Sequence, residues 1–110
     1  MNRGAAAEQQ AEKYLQQQGL KSLARNYRSR FGEIDLIMQE GVILVFIEVR
    51  MRQREDYGGA AASIDSRKQR RIICTARQYL TRLAVIPPCR FDAVLLNNQG
   101  LNWLKNAFSA

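Results

Sequence analysis

The chain has 110 residues, with seventeen basic side chains against ten acidic ones and a net charge of +7. That length sustains one domain, residues 1–110, with a core of its own and is too short for two. It contains no histidine, which excludes Ser-His-Asp hydrolysis, His-ligated zinc and every other mechanism that needs an imidazole; catalysis would fall to carboxylates, lysine, tyrosine, cysteine or a metal held by oxygen ligands.

Residues 4 to about 18 read as an amphipathic helix ended by Gly19, with Gly4, Ala7, Ala11, Tyr14 and Leu15 on one face. Glu8 falls on that same stripe and is a candidate inward carboxylate. Leu23 to Arg30 reads as a first, edge-like strand rich in arginine, and Glu33 to Met38 as a second. Gln39-Glu40-Gly41 is the turn from which Val42 to Arg50 returns as a third strand. A loop from Met51 to Ala62 carries Tyr57 before two glycines, and Tyr57 is a candidate for base stacking. A long helix follows from about Ile64 to Leu83, capped by Ser63 or Asp65, with Ile72, Ile73, Ala76, Tyr79, Leu80 and Leu83 as its buried stripe. Lys68 lies four residues before Ile72 and points inward from the first turn. After Pro87-Pro88, Arg90 to Leu96 and Leu101 to Leu104 supply two more strands. The order α-β-β-β-α-β(-β) implies an α/β fold, a mixed sheet flanked by helices.

The apolar run Val42–Ile47 is too short for a membrane helix, and the first fifteen residues lack an apolar signal core, so an unprocessed cytoplasmic protein with no membrane partner is expected. Cys74 and Cys89 fit no metal or redox spacing and read as free thiols.

Two carboxylates stand out. Asp35 lies within Gly32-Glu33-Ile34-Asp35-Leu36-Ile37 and Glu48 within Val45-Phe46-Ile47-Glu48-Val49-Arg50, both otherwise apolar strands. A carboxylate in such a run needs a partner or costs roughly several kcal/mol in desolvation. The partner suited to two converging carboxylates is a hard divalent cation, Mg²⁺ or Mn²⁺. A two-residue hairpin closed within 39–41 places Asp35 opposite Phe46 and Glu33 opposite Glu48. Asp35, Glu48 and Arg50 then share a face, with the two carboxylates diagonal neighbours roughly 7–8 Å apart at Cβ.

The cations are mostly arginine, thirteen against four lysines, and arginine's planar fork suits phosphate and base stacking. Arg28, Arg30, Arg52, Arg54, Arg67, Arg70 and Arg71 are the candidate nucleic-acid contacts. Asp92, in another apolar strand, reads as a structural partner for an arginine, and Trp103 as a core or lid residue.

The spacing of Asp35 and Glu48-Val49-Arg50 resembles the PD-(D/E)XK nuclease superfamily. The chain as a whole resembles the YraN-like family of small uncharacterised bacterial proteins, through Gly4-x-x-x-Glu8-x-x-Ala11-x-x-Tyr14-Leu15, Asn26-Tyr27-Arg28, Gly32-Glu33-Ile34-Asp35-Leu36-Ile37, Phe46-Ile47-Glu48-Val49-Arg50-x-Arg52, Lys68, Ala76-x-x-Tyr79-Leu80 and Arg90-Phe91-Asp92. The resemblance covers residues 4 to about 96. It implies a restriction-endonuclease-like core similar to archaeal Holliday-junction resolvases, which work as two-fold dimers, so a homodimer is part of the expectation. It carries over Glu8, Asp35 and Glu48 as metal-binding or catalytic carboxylates. One departure stands out: Arg50 occupies the position of the superfamily's usual lysine, and arginine steadies negative charge but cannot deprotonate water at neutral pH. Lys68 is the candidate to supply the missing amine.

Three readings follow. The first is a metal-dependent endonuclease on DNA, acting on branched or damaged structures, with Asp35, Glu48, Arg50 and Lys68 as catalytic groups. The second is a non-catalytic nucleic-acid-binding module on a degenerate nuclease fold. The third is an interaction protein whose basic face docks on an acidic partner.

Overall fold

A computed structural model describes residues 3–51 and 64–110. Arg52, Arg54, Tyr57 and Ser63 lie outside the described residues. The elements in order are α1 (Arg3–Gln17), β1 (Lys21–Ser29), β2 (Gly32–Glu40), β3 (Ile43–Met51), α2 (Ser66–Leu80), β4 (Cys89–Asn97) and β5 (Gly100–Phe108). The five strands form one sheet in sequence order, antiparallel except for the parallel β3–β4 pair. A parallel pair needs a crossover, and α2 lies within it. This is the expected α-β-β-β-α-β-β mixed sheet.

The helices cover opposite faces. In α1, Ala7, Ala11 and Leu15 are buried at four-residue intervals and pack with Leu36, Met38, Val45 and Ile47. The small side chains let the helix approach the sheet closely. The helix ends in a Schellman motif: Leu20 N–H donates to Leu15 O and Gly19 N–H to Gln16 O, each 3.0 Å, with Gly19 at φ +99° and Leu20 packed with Leu15 in one cluster. On the other face α2 buries Ile72 and Ala76 with Ile37, Leu44, Phe46 and Phe91. Asp65 is its N-cap, accepting the Lys68 N–H at 2.8 Å. The helix begins two residues later and ends three residues earlier than its apolar stripe suggested, and only single-turn bonds continue to Leu83.

The hairpin between β2 and β3 differs from the expected one. Its loop is Gly41–Val42, because Glu40 pairs with Ile43. Gly41 takes φ +60°, the conformation a type II′ turn requires at its first central residue. The strands therefore pair two residues out of the expected register, a shift that by itself does not exchange the two faces.

At the far end of the sheet Asp92 is fully buried and fully partnered. Arg90 reaches it bidentately at 2.8 and 2.9 Å, Trp103 Nε1 donates at 2.9 Å and the Asn106 N–H at 2.9 Å. Arg90 also reaches Glu40 at 2.7 Å, holding that carboxyl below its usual range. Asn106, at φ +57°, lies in a part of β5 where the pairing with β4 slips between Phe91 and Ala93. The Asp92 carboxylate thus stands in for a ladder acceptor and carries β5 through to Phe108, well past the expected end at Leu104. Asp92 is an arginine's structural partner, as expected, and Trp103 is part of the same network.

Replacing Asp92 with Ala leaves a largely buried guanidinium with Glu40 alone and deprives an indole N–H and a backbone N–H of their acceptor. Urea denaturation is expected to show a loss of about 3–5 kcal/mol; Trp103→Phe, which removes one donor, is expected to cost about 1 kcal/mol from the lost hydrogen bond.

Candidate functional site

Regular pairing of β2 with β3 runs from Glu40↔Ile43 to Leu36↔Ile47, and the next step brings Asp35 level with Glu48. The two carboxylates are direct rather than diagonal neighbours, which corrects the expected register. The ladder also changes character here. The Val49 N–H donates to Asp35 Oδ2 at 2.7 Å, so a side chain replaces the backbone acceptor and the two strands separate.

The sheet is creased at this point. Ile34 packs on the α2 side and Leu36 on the α1 side although they are two residues apart, so the alternation of faces breaks at Asp35. The neighbouring strand breaks at the same level: Ala24 and Tyr27 both pack on the α2 side, and between them Asn26 adopts φ +51°. A left-handed asparagine within a strand is a local strain that its surroundings must hold in place. In the crease, Asp35 interacts with groups from both faces.

From the α1 face comes Glu8. Its carboxyl is raised above the ordinary range by burial and by the charge of Asp35, while a hydrogen bond with Asn26 works the other way. From the α2 face come Glu48, only 5% exposed, and its two cations: Arg50 Nε at 3.1 Å and Lys68 Nζ at 3.5 Å from Glu48 Oε2. Lys68 therefore does turn inward from the first turn of α2. Arg50 Nε is buried and, despite its proximity, poorly aligned for a hydrogen bond with Glu48. Asp35 is pushed up to about 7, first by burial and then by Glu48, by charge and by a side-chain hydrogen bond; the Val49 N–H and Lys68 oppose the rise.

The donor set is all hard oxygen with a surplus of buried negative charge at Asp35, which suits a divalent cation. Among the described residues no three carboxylates or thiols gather tightly enough to enclose an ion by themselves. The crease explains this: Glu8 and Glu48 approach from opposite faces and meet only through Asp35. The Asp35–Glu48 pair could offer one or two carboxylates to a divalent cation such as Mg²⁺, which commonly keeps water in its remaining positions.

Beside Glu8 a cavity of about 260 Å³ is lined by Gln9, Glu12, Arg25, Asn26 and Leu36. Glu12 is 5% exposed, receives Ser22 Oγ at 2.6 Å and Arg25 Nε at 2.7 Å, and braces α1 on β1. Neither Glu12 nor Asn26 was expected at the site. The four-residue step from Glu8 to Glu12 along the alanine stripe is the signal for the first; Asn26 announces itself only through its backbone.

The expected nucleic-acid contacts that lie within the described residues are exposed. Arg28 is 3.9 Å from Glu33, Arg30 stacks 4.9 Å from the centre of the Phe31 ring, and Arg67, Arg70 and Arg71 project from α2. They surround the β1–β2 hairpin and the first half of α2, on the side of the sheet where Lys68 meets Glu48.

Asp35 has a raised folded-state pKa, so the folded chain holds a proton that the unfolded chain releases above pH 3.8, and stability falls as pH rises towards 7. Asp35→Asn is expected to be more stable than the parent by roughly 1–3 kcal/mol at about pH 8 and nearly equal to it at about pH 4, where both side chains are neutral. Thermal melts across that range in chelator check it, and a parent as stable at the higher pH as at the lower one contradicts the assignment.

A model of the uncharacterised protein family UPF0102 matches residues 7–96. Relatives with the name UPF0102 protein include one from Janthinobacterium sp. (strain Marseille), 55% identical over 107 residues, which span 97% of this chain and 87% of the relative. Another, from Nitrosomonas eutropha, is 56% identical over 108 residues, 97% of this chain and 93% of its own. A third, from Methylobacillus flagellatus, is 53% identical over 110 residues, 97% and 96% of the two chains. The match takes in Glu8, Asp35, Glu48, Arg50 and Lys68 alike, and the chain belongs to the uncharacterised protein family UPF0102, the YraN-like family its sequence resembles.

Proposed function

We propose that the protein is a metal-dependent endonuclease acting on DNA, with branched or damaged structures as its substrates. The observation that carries this reading is the Asp35–Glu48 pair: two carboxylates side by side in the crease of a sheet, one of them pushed up to about 7, with Lys68 3.5 Å from the other. Asp35 and Glu48 would hold Mg²⁺ or Mn²⁺, with Glu8 contributing from α1. Such an ion supplies an activated water and neutralises phosphate charge.

The chain's own groups do the rest. Lys68 and Arg50 place two positive charges against Glu48 and are available to a phosphate at the same spot, where charge grows during phosphodiester cleavage. A guanidinium is no proton acceptor, so the part of Arg50 is electrostatic, and Lys68 supplies an amine. The surrounding arginines and the net charge of +7 favour a polyanionic substrate. Among the described residues no helix is long and apolar enough to cross a membrane.

One observation favours a second reading, a nucleic-acid-binding module without catalysis. Arg50 occupies the place where the resembled superfamily carries a lysine, and its guanidinium leans on Glu48.

Purified protein is expected to cleave branched or linear DNA with Mg²⁺ or Mn²⁺ and not in chelator. Asp35→Ala and Glu48→Ala abolish cleavage and keep binding, and Lys68→Ala slows turnover by about 10²–10³-fold with binding little changed. Retention of salt-sensitive binding with no cleavage under any divalent metal would establish the second reading in place of the first.

A further inference from the structure

The tip of the β1–β2 hairpin is a partly exposed aromatic residue. Phe31 is 40% exposed, with the Arg30 guanidinium 4.9 Å from its ring centre, and a turn residue this accessible is usually polar. The turn is nevertheless firmly fixed. Phe31 N–H donates to Ser29 Oγ at 3.0 Å, and Ser29 Oγ lies 2.8 Å from Thr75 Oγ1, which is fully buried in α2 and bonds to Arg71 O at 2.8 Å. A three-link chain of hydrogen bonds therefore sets the height of this ring over the helix. Beneath it lies an open cavity of about 610 Å³ lined by Arg30, Phe31, Cys74, Arg77, Gln78 and Thr81. Two of these are arginines, one is an amide, and none is acidic. An exposed aromatic face flanked by cations, with a donor and acceptor amide below it, matches what an unpaired nucleotide requires: a ring to stack on, charges for its phosphates and an amide for its base edge.

The position relative to the candidate site fits a single strand. β2 runs antiparallel to β3, so the hairpin tip stands at the end of the sheet where β3 carries Glu48 and Arg50. Along α2, Cys74 to Gln78 follow Lys68 by six to ten residues, about 9–15 Å at 1.5 Å per residue. That is the length of about three to four stacked nucleotides at roughly 3.4 Å each along a strand.

We propose that Phe31, with Arg30, Arg77 and Gln78, forms a subsite for an unpaired DNA strand leading away from the cleavage site, so that the substrate carries a single-stranded arm beside its duplex. The proposal rests on the reading of the Asp35–Glu48 pair as the place where a phosphodiester is cut, and it specifies which DNA structure is preferred.

Fluorescence anisotropy in chelator, with a labelled oligo(dT) and a blunt duplex of equal length, tests it without requiring cleavage. The wild-type chain is expected to bind oligo(dT); Phe31→Ala weakens that binding by about 10-fold while Phe31→Trp stays within about twofold of wild type. Duplex affinity is unchanged in both. Arg77→Ala lowers the slope of log affinity against log salt by about one for oligo(dT) only. An unchanged melting temperature for Phe31→Ala, expected because the ring is exposed, ties the loss to the ring. Wild-type protein that does not bind oligo(dT), a Phe31→Ala loss equal on strand and duplex, or a Phe31-dependent affinity seen with oligo(U) but not oligo(dT) overturns the proposal. Metal-dependent cleavage by the wild type of branched DNA, of linear duplex and of a duplex with a single-stranded arm is scored separately: its absence on all three defeats the endonuclease reading alone, and its presence with strand binding indifferent to Phe31 defeats the subsite alone.

Discussion

Two carboxylates held side by side within an otherwise apolar sheet are the constraint on which the arrangement turns. A two-residue loop at Gly41–Val42 fixes the register that sets Asp35 level with Glu48. The ladder cannot continue regularly through such a pair: Asp35 takes the Val49 N–H for itself, the strands part, and the faces of β2 change sides. Asn26 in the next strand absorbs the same crease through a left-handed backbone. This distortion is what lets Glu8 from one helix and Lys68 from the other act on a single point. In a flat sheet with helices on both faces, they would be separated by the sheet itself.

Asp92 provides an internal contrast. It too is a buried aspartate that accepts a backbone N–H from a neighbouring strand where the pairing is irregular. Its charge is answered by a bidentate arginine and an indole, and Arg90 in turn answers Glu40. Asp35 has another carboxylate, Glu48, as the strongest charge acting on it, and the two cations of the site lie against Glu48. Similar backbone bonding thus yields opposite outcomes, with Asp92 fully buried and Asp35 partly so. One carboxylate holds the sheet edge together; the other is poorly compensated and keeps its proton towards pH 7. Structure that tolerates unanswered buried charge gives up stability at that point, which is common where a ligand is to be bound.

The positive charge is organised around the same end of the molecule. Lys68 faces inward to Glu48, whereas Arg67, Arg70 and Arg71 on the same two turns of α2 face outward, and the β1–β2 hairpin adds Arg28 and Arg30 beside them. One helix therefore presents both a cation turned to Glu48 and an exposed basic surface around it. The hairpin tip is anchored to that helix through Ser29 and Thr75, so the aromatic ring and the basic surface keep a fixed relation.

The sequence by itself determined the element order, the two faces and the identity of the carboxylates. These depend on local patterning: alanines every fourth residue in α1, short apolar runs in β2 and β3, and an Asp or Glu where an apolar side chain belongs. Because strand faces repeat every two residues, the expected register could be wrong by two and still place Glu48 and Arg50 on the side where α2 supplies Lys68. The tertiary structure alone decided the rest. That Asp35 and Glu48 are level and not diagonal depends on which residues close the turn. That β5 runs on to Phe108 depends on the Asp92 carboxylate replacing a backbone acceptor across strands, and the left-handed backbone of Asn26 belongs to the crease of the assembled sheet. Such substitutions leave no periodic trace in a chain, because they are made between residues far apart in sequence and near only once the sheet has formed.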